Sequence, residues 1–306
     1  MFTSDLRTTI GSLFFKNPVM TAAGTSGYSD ELADYFDLGE LGAVVVKSLS
    51  FKPWDGNPSP RLHPTPSGML NSVGLQGPGV DIWLEKYLPP LVSSGVRVVA
   101  SIWGNTVEDF ALAAKALSSA PPEVVAIEIN ASCPNLEDHR RLFAHSVDAT
   151  SEVVEAASLG RRPCWVKLSP NTWELPEIAL AAVEAGAEAV TVSNTVMGMA
   201  IDVNSRRPFL GAGRGGLSGS AIRPIAVRAV YDVYKADPTL PIIGVGGIAT
   251  PEDVIEFLLA GASAVQVGTA NFADPRAAIK ILTGLKRWCD REGVASLVEL
   301  IGAAHE

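Results

Sequence analysis

The sequence predicts an α/β fold, a (β/α)8 TIM barrel, from three observations. These are eight short apolar segments, amphipathic helical segments between them, and two long excursions that each follow an apolar segment's C-terminal end. The apolar segments are VMTAA (19–23), AVVVK (43–47), VRVVASI (96–102), VVAIEIN (124–130), CWVKL (164–168), AVTVSN (189–194), PIIGVGG (241–247) and AVQVGT (264–269). Continuous apolar runs this short suit strands of a parallel sheet, which helices cover on both faces. Helical segments include TVEDFALAAKALSSA, LPEIALAAVEAG and TPEDVIEFLLAG, each with a Thr or Pro near its start. Thr250 with Asp253 three residues on has the form of a capping box. Eight strands is the number that closes a TIM barrel, while a doubly wound sheet is the other fold the alternation allows. The excursions, 49–80 (rich in Pro and Gly) and 196–220 (rich in Gly and Arg), lie where barrel enzymes keep their chemistry. No low-complexity tract or linker divides the 306 residues, so 1–306 reads as one domain with a large buried core.

Composition excludes several classes of function. The 24 basic and 33 acidic residues give a net charge of −9, which argues against a nucleic-acid partner. An anionic substrate stays open, because the field in a cleft can oppose the global charge. No stretch approaches the ~20 uninterrupted apolar residues of a membrane span. The opening MFTSDLRTTIGSLFFKNP has neither the basic nor the long apolar region of a secretory signal. The three cysteines (Cys133, Cys164, Cys289) show no metal-ligand spacing and no disulfide framework, which points to a reducing, cytoplasmic setting.

Residues that can carry chemistry gather at the strand ends. Gly244-Val245-Gly246-Gly247 closes the seventh segment and Gly268-Thr269 the eighth, the two places where barrels often bind a phosphate through backbone N–H groups. The same glycines also serve simple tight turns. Lys47 and Lys167 end the second and fifth segments, where a lysine is costly unless it meets water or an anion. Asn130 and Asn194 close the fourth and sixth, Asn105 follows the third, and Asn71 and Asn135 lie in loops. An amide both donates and accepts, which suits a flat imide ring, although Asn is equally at home in turns. Cys164 reads as a small core residue and Cys289 as a helix residue, whereas Cys133 falls in a polar loop, Asn130-Ala131-Ser132-Cys133-Pro134-Asn135. None of His63, His139, His145 and His305 has an evident catalytic partner.

The chain resembles the class 1 dihydroorotate dehydrogenases, and within them the 1B catalytic subunit. The resemblance rests on KNPVMTAAGT (16–25), VVVKSLS (44–50), NPSPRLHPTPSGMLNSVGLQGPG (57–79), GNTVED (104–109) and EINASCPN (128–135). It continues through VKLSPN (166–171), SNTVMGMAIDVNSRRP (193–208), GGLSGSAIRPIA (215–226), VGGI (245–248) and ASAVQVGTANFADP (262–275). It implies FMN as cofactor and oxidation of dihydroorotate to orotate in pyrimidine biosynthesis. Cys133 would be the base that takes the C5 proton while hydride leaves C6 for flavin N5. A cysteine there favours class 1 over the membrane-associated class 2, which places serine at this position. Asn71, Gly74, Leu75, Asn130, Asn135, Asn194 and Thr195 match the substrate-binding set. Lys47 and Lys167 match flavin contacts, Lys167 near the N1/O2 edge, with Lys47 also grouped with Cys133 in the catalytic centre. Gly246, Gly247, Gly268 and Thr269 match the phosphate cradle, and Ala23, Gly24, Ser48, Asn105, Asn130, Gly216 and Ser218 the rest of the cofactor's surroundings. The same resemblance implies a homodimer and a heterotetramer with an electron-transfer subunit carrying FAD and a [2Fe-2S] cluster.

Two departures stand out. After SCPN the relatives carry a Gly-Gly pair, but here the segment reads LEDHRRLFAHS (136–146), bulkier and more basic through His139, Arg140 and Arg141. Trp103 is larger than a flavin's neighbour at that point is expected to be. The altered segment leaves a different dihydropyrimidine open as substrate, and a non-redox phosphate-binding barrel is the alternative from another class.

Overall fold

The structure is a computed structural model and describes residues 4–133 and 142–305. All eight expected apolar segments form strands of one parallel sheet: β1 (Val19–Thr21), β2 (Val44–Val45), β3 (Val98–Ile102), β4 (Val124–Asn130), β5 (Cys164–Lys167), β6 (Ala189–Val192), β7 (Ile242–Val245) and β8 (Ala264–Val267). Neighbours run in the order β1-β8-β7-β6-β5-β4-β3-β2. The two ends meet through a parallel bridge between Met20 and Ala43, with the Gly42 N–H donating to the Val19 carbonyl at 2.9 Å. The sheet is therefore a closed barrel and not the open, doubly wound alternative. Most strands are shorter than their apolar segments. Lys47, Asn194 and Gly246 leave the ladder at the C-terminal end and line a cavity there.

The period-2 alternation of a strand sorts each barrel residue inward or outward. Met20, Val45, Val99, Ala126, Trp165, Ala189, Ile243 and Ala264 form one buried interior layer. The N-terminal hairpin, Thr8–Ile10 paired with Leu13–Phe15, adds Ile10 and Phe15 to that layer. Phe15 meets Trp165 edge-on, with ring centroids 6.0 Å apart. Two residues further along their strands, Ser101, Glu128, Lys167, Thr191 and Gln266 form a second buried interior layer, and this one is polar. Outward residues such as Ile127, Val166, Val190, Ile242 and Val265 pack against Phe110, Val153, Ile178, Val230, Phe257 and Ile281 of the surrounding helices.

Those helices span Val107–Leu117, Val147–Ala157, Leu175–Glu184, Arg223–Ala236, Pro251–Leu259 and Ala277–Glu292. The capping box expected at Thr250 and Asp253 is present, and a second joins Thr106 with Asp109. Each box satisfies backbone N–H groups that the helix itself leaves unpaired. Leu175–Glu184 has no side-chain cap and opens with Pro176 in its first turn, where proline's missing N–H costs nothing.

The two excursions meet each other. Leu62–Thr65 and Gly68–Asn71 from the first, and Gly215–Ser218 and Val196–Gly198 from the second, form one four-stranded antiparallel sheet. Its central pairing sets Asn71 opposite Gly216 and Met69 opposite Ser218. Among the described residues, no helix is long and apolar enough to cross a membrane. Trp165 is the largest side chain of the interior apolar layer and has no accessible surface. We expect Trp165→Ala to lower unfolding stability by about 3–5 kcal/mol in denaturant titrations. A loss under about 1 kcal/mol would show that this layer does not carry the barrel.

Candidate active site

A cavity of about 270 Å³ opens at the C-terminal end of the barrel, between the strand ends and the antiparallel sheet. Nearly every barrel strand delivers polar groups to it. Lys47 and Ser48 follow β2, Asn130 ends β4, Lys167 ends β5, and Ser193, Asn194 and Thr195 follow β6. Gly246 and Gly247 follow β7, Gly268 and Thr269 follow β8, and Ala23 and Gly24 follow β1. The antiparallel sheet adds Asn71 and Ser218, and Gly74 and Leu75 come from the loop after Asn71. The two lysines, read separately as strand-end cations, thus line one space.

Hydrogen bonds fix the amides before any ligand arrives. Asn194 Nδ2 donates to Asn130 Oδ1 at 3.1 Å, and Asn194 Oδ1 accepts from the Thr195 N–H at 2.8 Å. Asn130 Nδ2 donates to Ser48 Oγ at 3.4 Å, and Ser48 in turn pairs with Ser101 at 2.8 Å. Asn71 Nδ2 donates to the Gly216 carbonyl across the antiparallel pair at 3.3 Å. Thr269 Oγ1 donates to Ser218 Oγ at 2.8 Å, linking the phosphate-type loop to the sheet. Leu75 holds φ +61, a left-handed conformation uncommon for a side chain of its size, and such strain gathers at ligand sites.

Both lysines are pushed toward neutrality. Lys47 is half-buried, so desolvation lowers its pKa, with the positive charge of Arg61 a second cause; its ammonium lies 5.1 Å from the Tyr28 ring centroid. Lys167 is buried, and desolvation lowers its pKa while Glu128 opposes the shift. Cys133 departs from its expected polar surroundings. Its side chain is fully buried in the main apolar cluster, and Sγ donates to the Asn130 carbonyl at 3.1 Å. Burial holds this thiol well above the ordinary range, and the sulfur is not part of the cavity lining.

Two other expected residues, Asn105 and Gly216, and the unexpected Trp103 occupy different places. Asn105 heads the helix Val107–Leu117, its N–H donating to Asp109 Oδ2 at 2.9 Å, and stays out of the lining. Gly216 supports the site from behind: a Cβ there would lie 2.0 Å from Thr195 Oγ1. Trp103 packs edge-on against Trp54, 5.6 Å between centroids, and does not line the cavity. Asn135 and His139, Arg140 and Arg141 lie outside the described residues. The other histidines are occupied elsewhere, His63 stacked on Phe209, His145 on Ser169 Oγ and His305 against Tyr231. Reading the sequence missed part of the lining, including Met69, Ser72, Val73, Ile222 and Phe272. Only the pairing of the two excursions brings the first three there, and no local pattern announces that pairing. Glu128, Thr191 and Gln266 beneath the cavity were missed too, although strand alternation from Asn130 and Lys167 could have found them.

The family model for dihydroorotate dehydrogenase matches residues 5–288. The chain belongs to the dihydroorotate dehydrogenase family. Proteins named dihydroorotate dehydrogenase B (NAD(+)), catalytic subunit, are similar over nearly its whole length. That of Geotalea uraniireducens is 46% identical over 300 residues, covering 98% of each chain. The Desulforudis audaxviator protein is 48% identical over 297 residues, covering 97% of this chain and 96% of its own. The Bacteroides thetaiotaomicron protein is 44% identical over 301 residues, covering 98% and 99%.

Gly216 and Gly268 separate packing from ligand contact. Gly216 has no room for a methyl, whereas a Cβ on Gly268 would meet only Ala22 Cβ, at an ordinary 3.4 Å, and a Thr25 methyl beyond it. In the ligand-free chain we expect Gly216→Ala to cost about 1–3 kcal/mol by overcrowding Thr195, and Gly268→Ala to cost under about 1 kcal/mol. Equal losses in thermal or denaturant unfolding would contradict this assignment.

Proposed function

We propose that this chain is the catalytic subunit of a dihydroorotate dehydrogenase, oxidising dihydroorotate to orotate in pyrimidine biosynthesis, with FMN in the barrel-end cavity. The observation that carries the proposal is the convergence of Lys47, Lys167, the joined amides of Asn130 and Asn194, and the loops after β7 and β8 on one cavity. The donor set fits a flavin mononucleotide. Gly247 has φ +72, which turns the chain directly after β7, and glycine backbone lets an anion approach closely. At Gly24 a Cβ would meet nothing within 4 Å, so there the backbone itself borders open space. Gly246, Gly247, Gly268 and Thr269 would hold the phosphate, Ala23, Gly24, Ser48 and Ser218 the ring and ribityl chain, and Lys167 the N1/O2 edge.

Bound FMN supplies the hydride acceptor. This chain supplies the rest. Asn71, Asn130, Asn194 and Thr195 present donors and acceptors to the pyrimidine ring and its carboxylate, with Gly74 and Leu75 completing the substrate's surroundings and Lys47 adding a cation nearby; the family resemblance alone assigns Asn135 to this set. Cys133 is the base for the C5 proton. In the structure its thiol donates to the Asn130 carbonyl, and the role requires it to turn to C5. Since burial raises the thiol's pKa, little thiolate exists at neutral pH, and proton abstraction speeds up as pH rises through and beyond the ordinary thiol range of ~8.5.

The relatives' designation as catalytic subunit supports a partner subunit here as well. The three cysteines sit in separate elements, which fits a [2Fe-2S] cluster carried, with FAD, by that partner, in a heterotetramer built on a homodimer of this chain. Buried free thiols suit the reducing conditions of the cytoplasm.

The purified chain is expected to be yellow with FMN, or to become so on reconstitution, and to bleach when dihydroorotate is added without oxygen. A chain that cannot take up FMN sinks the proposal; bleaching by dihydrouracil alone moves it to another ring. For the base, Cys133→Ser should keep FMN and orotate binding while anaerobic flavin reduction slows by about 10²–10⁴-fold at neutral pH. Wild-type reduction should also accelerate with pH. Stopped-flow traces that are unchanged in the variant, or flat with pH in the wild type, would remove Cys133 from that role.

A further inference from the structure

The polar interior layer lies directly beneath the cavity. Burying a carboxylate and an ammonium inside a barrel is expensive unless each is held by partners. Glu128 on β4 has no accessible surface, and its two oxygens are treated differently. Oε2 accepts from Gln266 Nε2 of β8 at 2.5 Å and from Thr191 Oγ1 of β6 at 3.0 Å. Oε1 has no hydrogen-bond partner and lies 4.0 Å from Lys167 Nζ of β5. Gln266 joins the two charges, because its Oε1 accepts from Lys167 Nζ at 3.4 Å while its Nε2 serves the carboxylate. Two neutral donors therefore pin one side of Glu128 and leave the other turned to the one cation of this layer.

We propose that Glu128 is a positioning residue that keeps Lys167 protonated and aimed at the cavity floor. The other strands offer Lys167 no competing acid. β6 and β8 present Thr191 and Gln266, β3 presents Ser101, β1 presents Met20 followed by Ala22, and β7 presents Ile243 and Val245. Lys47, after β2, is the other charged group lining the cavity, and it is a cation. Burial alone drives Lys167 toward its neutral form, and Glu128 is what opposes it. A protonated Lys167 is what an anionic edge of a planar ligand needs at that point, and a neutral amine there would give up most of that attraction. The functional consequence rests on the FMN reading above, whereas the charge coupling belongs to the chain alone.

The test uses the FMN-free full chain with lysine side chains labelled at 13Cε, the Lys167 resonance being assigned by its loss in Lys167→Met. In Glu128→Gln, of nearly equal size, the Lys167 titration midpoint should fall by roughly 1–3 pH units, the span typical of a close opposite charge, with Lys47 not following. In Glu128→Asp, which keeps the charge but withdraws it, the midpoint should fall less, in the same direction. If Glu128→Gln fails to fold, the Asp variant alone decides. A Lys167 midpoint unchanged in the folded variants overturns the proposal and leaves Glu128 a packing residue. Failure to bind FMN would defeat the proposed function but not this titration, so the two outcomes remain separable.

Discussion

Closure of the parallel ladder between β1 and β2 is the constraint on which everything else depends. Without the Met20–Ala43 bridge and the Gly42–Val19 hydrogen bond, the sheet would have two edges and no interior. Closed, it obliges alternate residues of every strand to share one narrow space. Chain order then stacks that space into layers: apolar around Trp165, polar around Glu128 and Lys167, and open above Asn130 and Asn194. The site is thus the third layer of a stack whose first layer is ordinary core. Each step of two residues along a strand moves from packing to charge to ligand.

This layering explains what could be read from the sequence. The eight strands were legible because a strand buried on both faces leaves an uninterrupted apolar run, as AVQV and PIIGV show. Lys47, Lys167, Asn130 and Asn194 were legible because a polar residue at the end of such a run stands out against it. Glu128 and Gln266 were passed over within the strands, where a single polar residue looks like noise until closure shows that both face inward. The lining contributed by Met69, Ser72 and Val73 was harder still. It depends on a pairing between Gly68–Asn71 and Gly215–Ser218, segments separated in the chain by half of the barrel's strands, and no local periodicity records that contact. Cys133 was placed correctly in the chain but not in its environment, since a polar neighbourhood in sequence, Asn130 to Asn135, turned out to pack its sulfur among apolar residues.

The charge distribution follows the same geometry. A chain with net charge −9 would be a poor trap for anions if its charges were spread evenly. They are not: two lysines reach the cavity, and the interior carboxylate near them, Glu128, is engaged by Gln266, Thr191 and Lys167. The apolar barrel wall lowers the local dielectric response and so strengthens both the cost of an unpaired charge and the pull of a paired one. The same burial that makes the Cys133 thiol reluctant to ionise makes the lysines reluctant to stay charged. For Lys167 a carboxylate opposes that pressure. For Cys133 burial prevails over the backbone hydrogen bond from Gly104 that favours the thiolate. The two groups thus answer the same burial differently: Lys167 has a carboxylate oxygen 4.0 Å from its ammonium, while the Cys133 thiol, pushed above its ordinary range, donates to the Asn130 carbonyl.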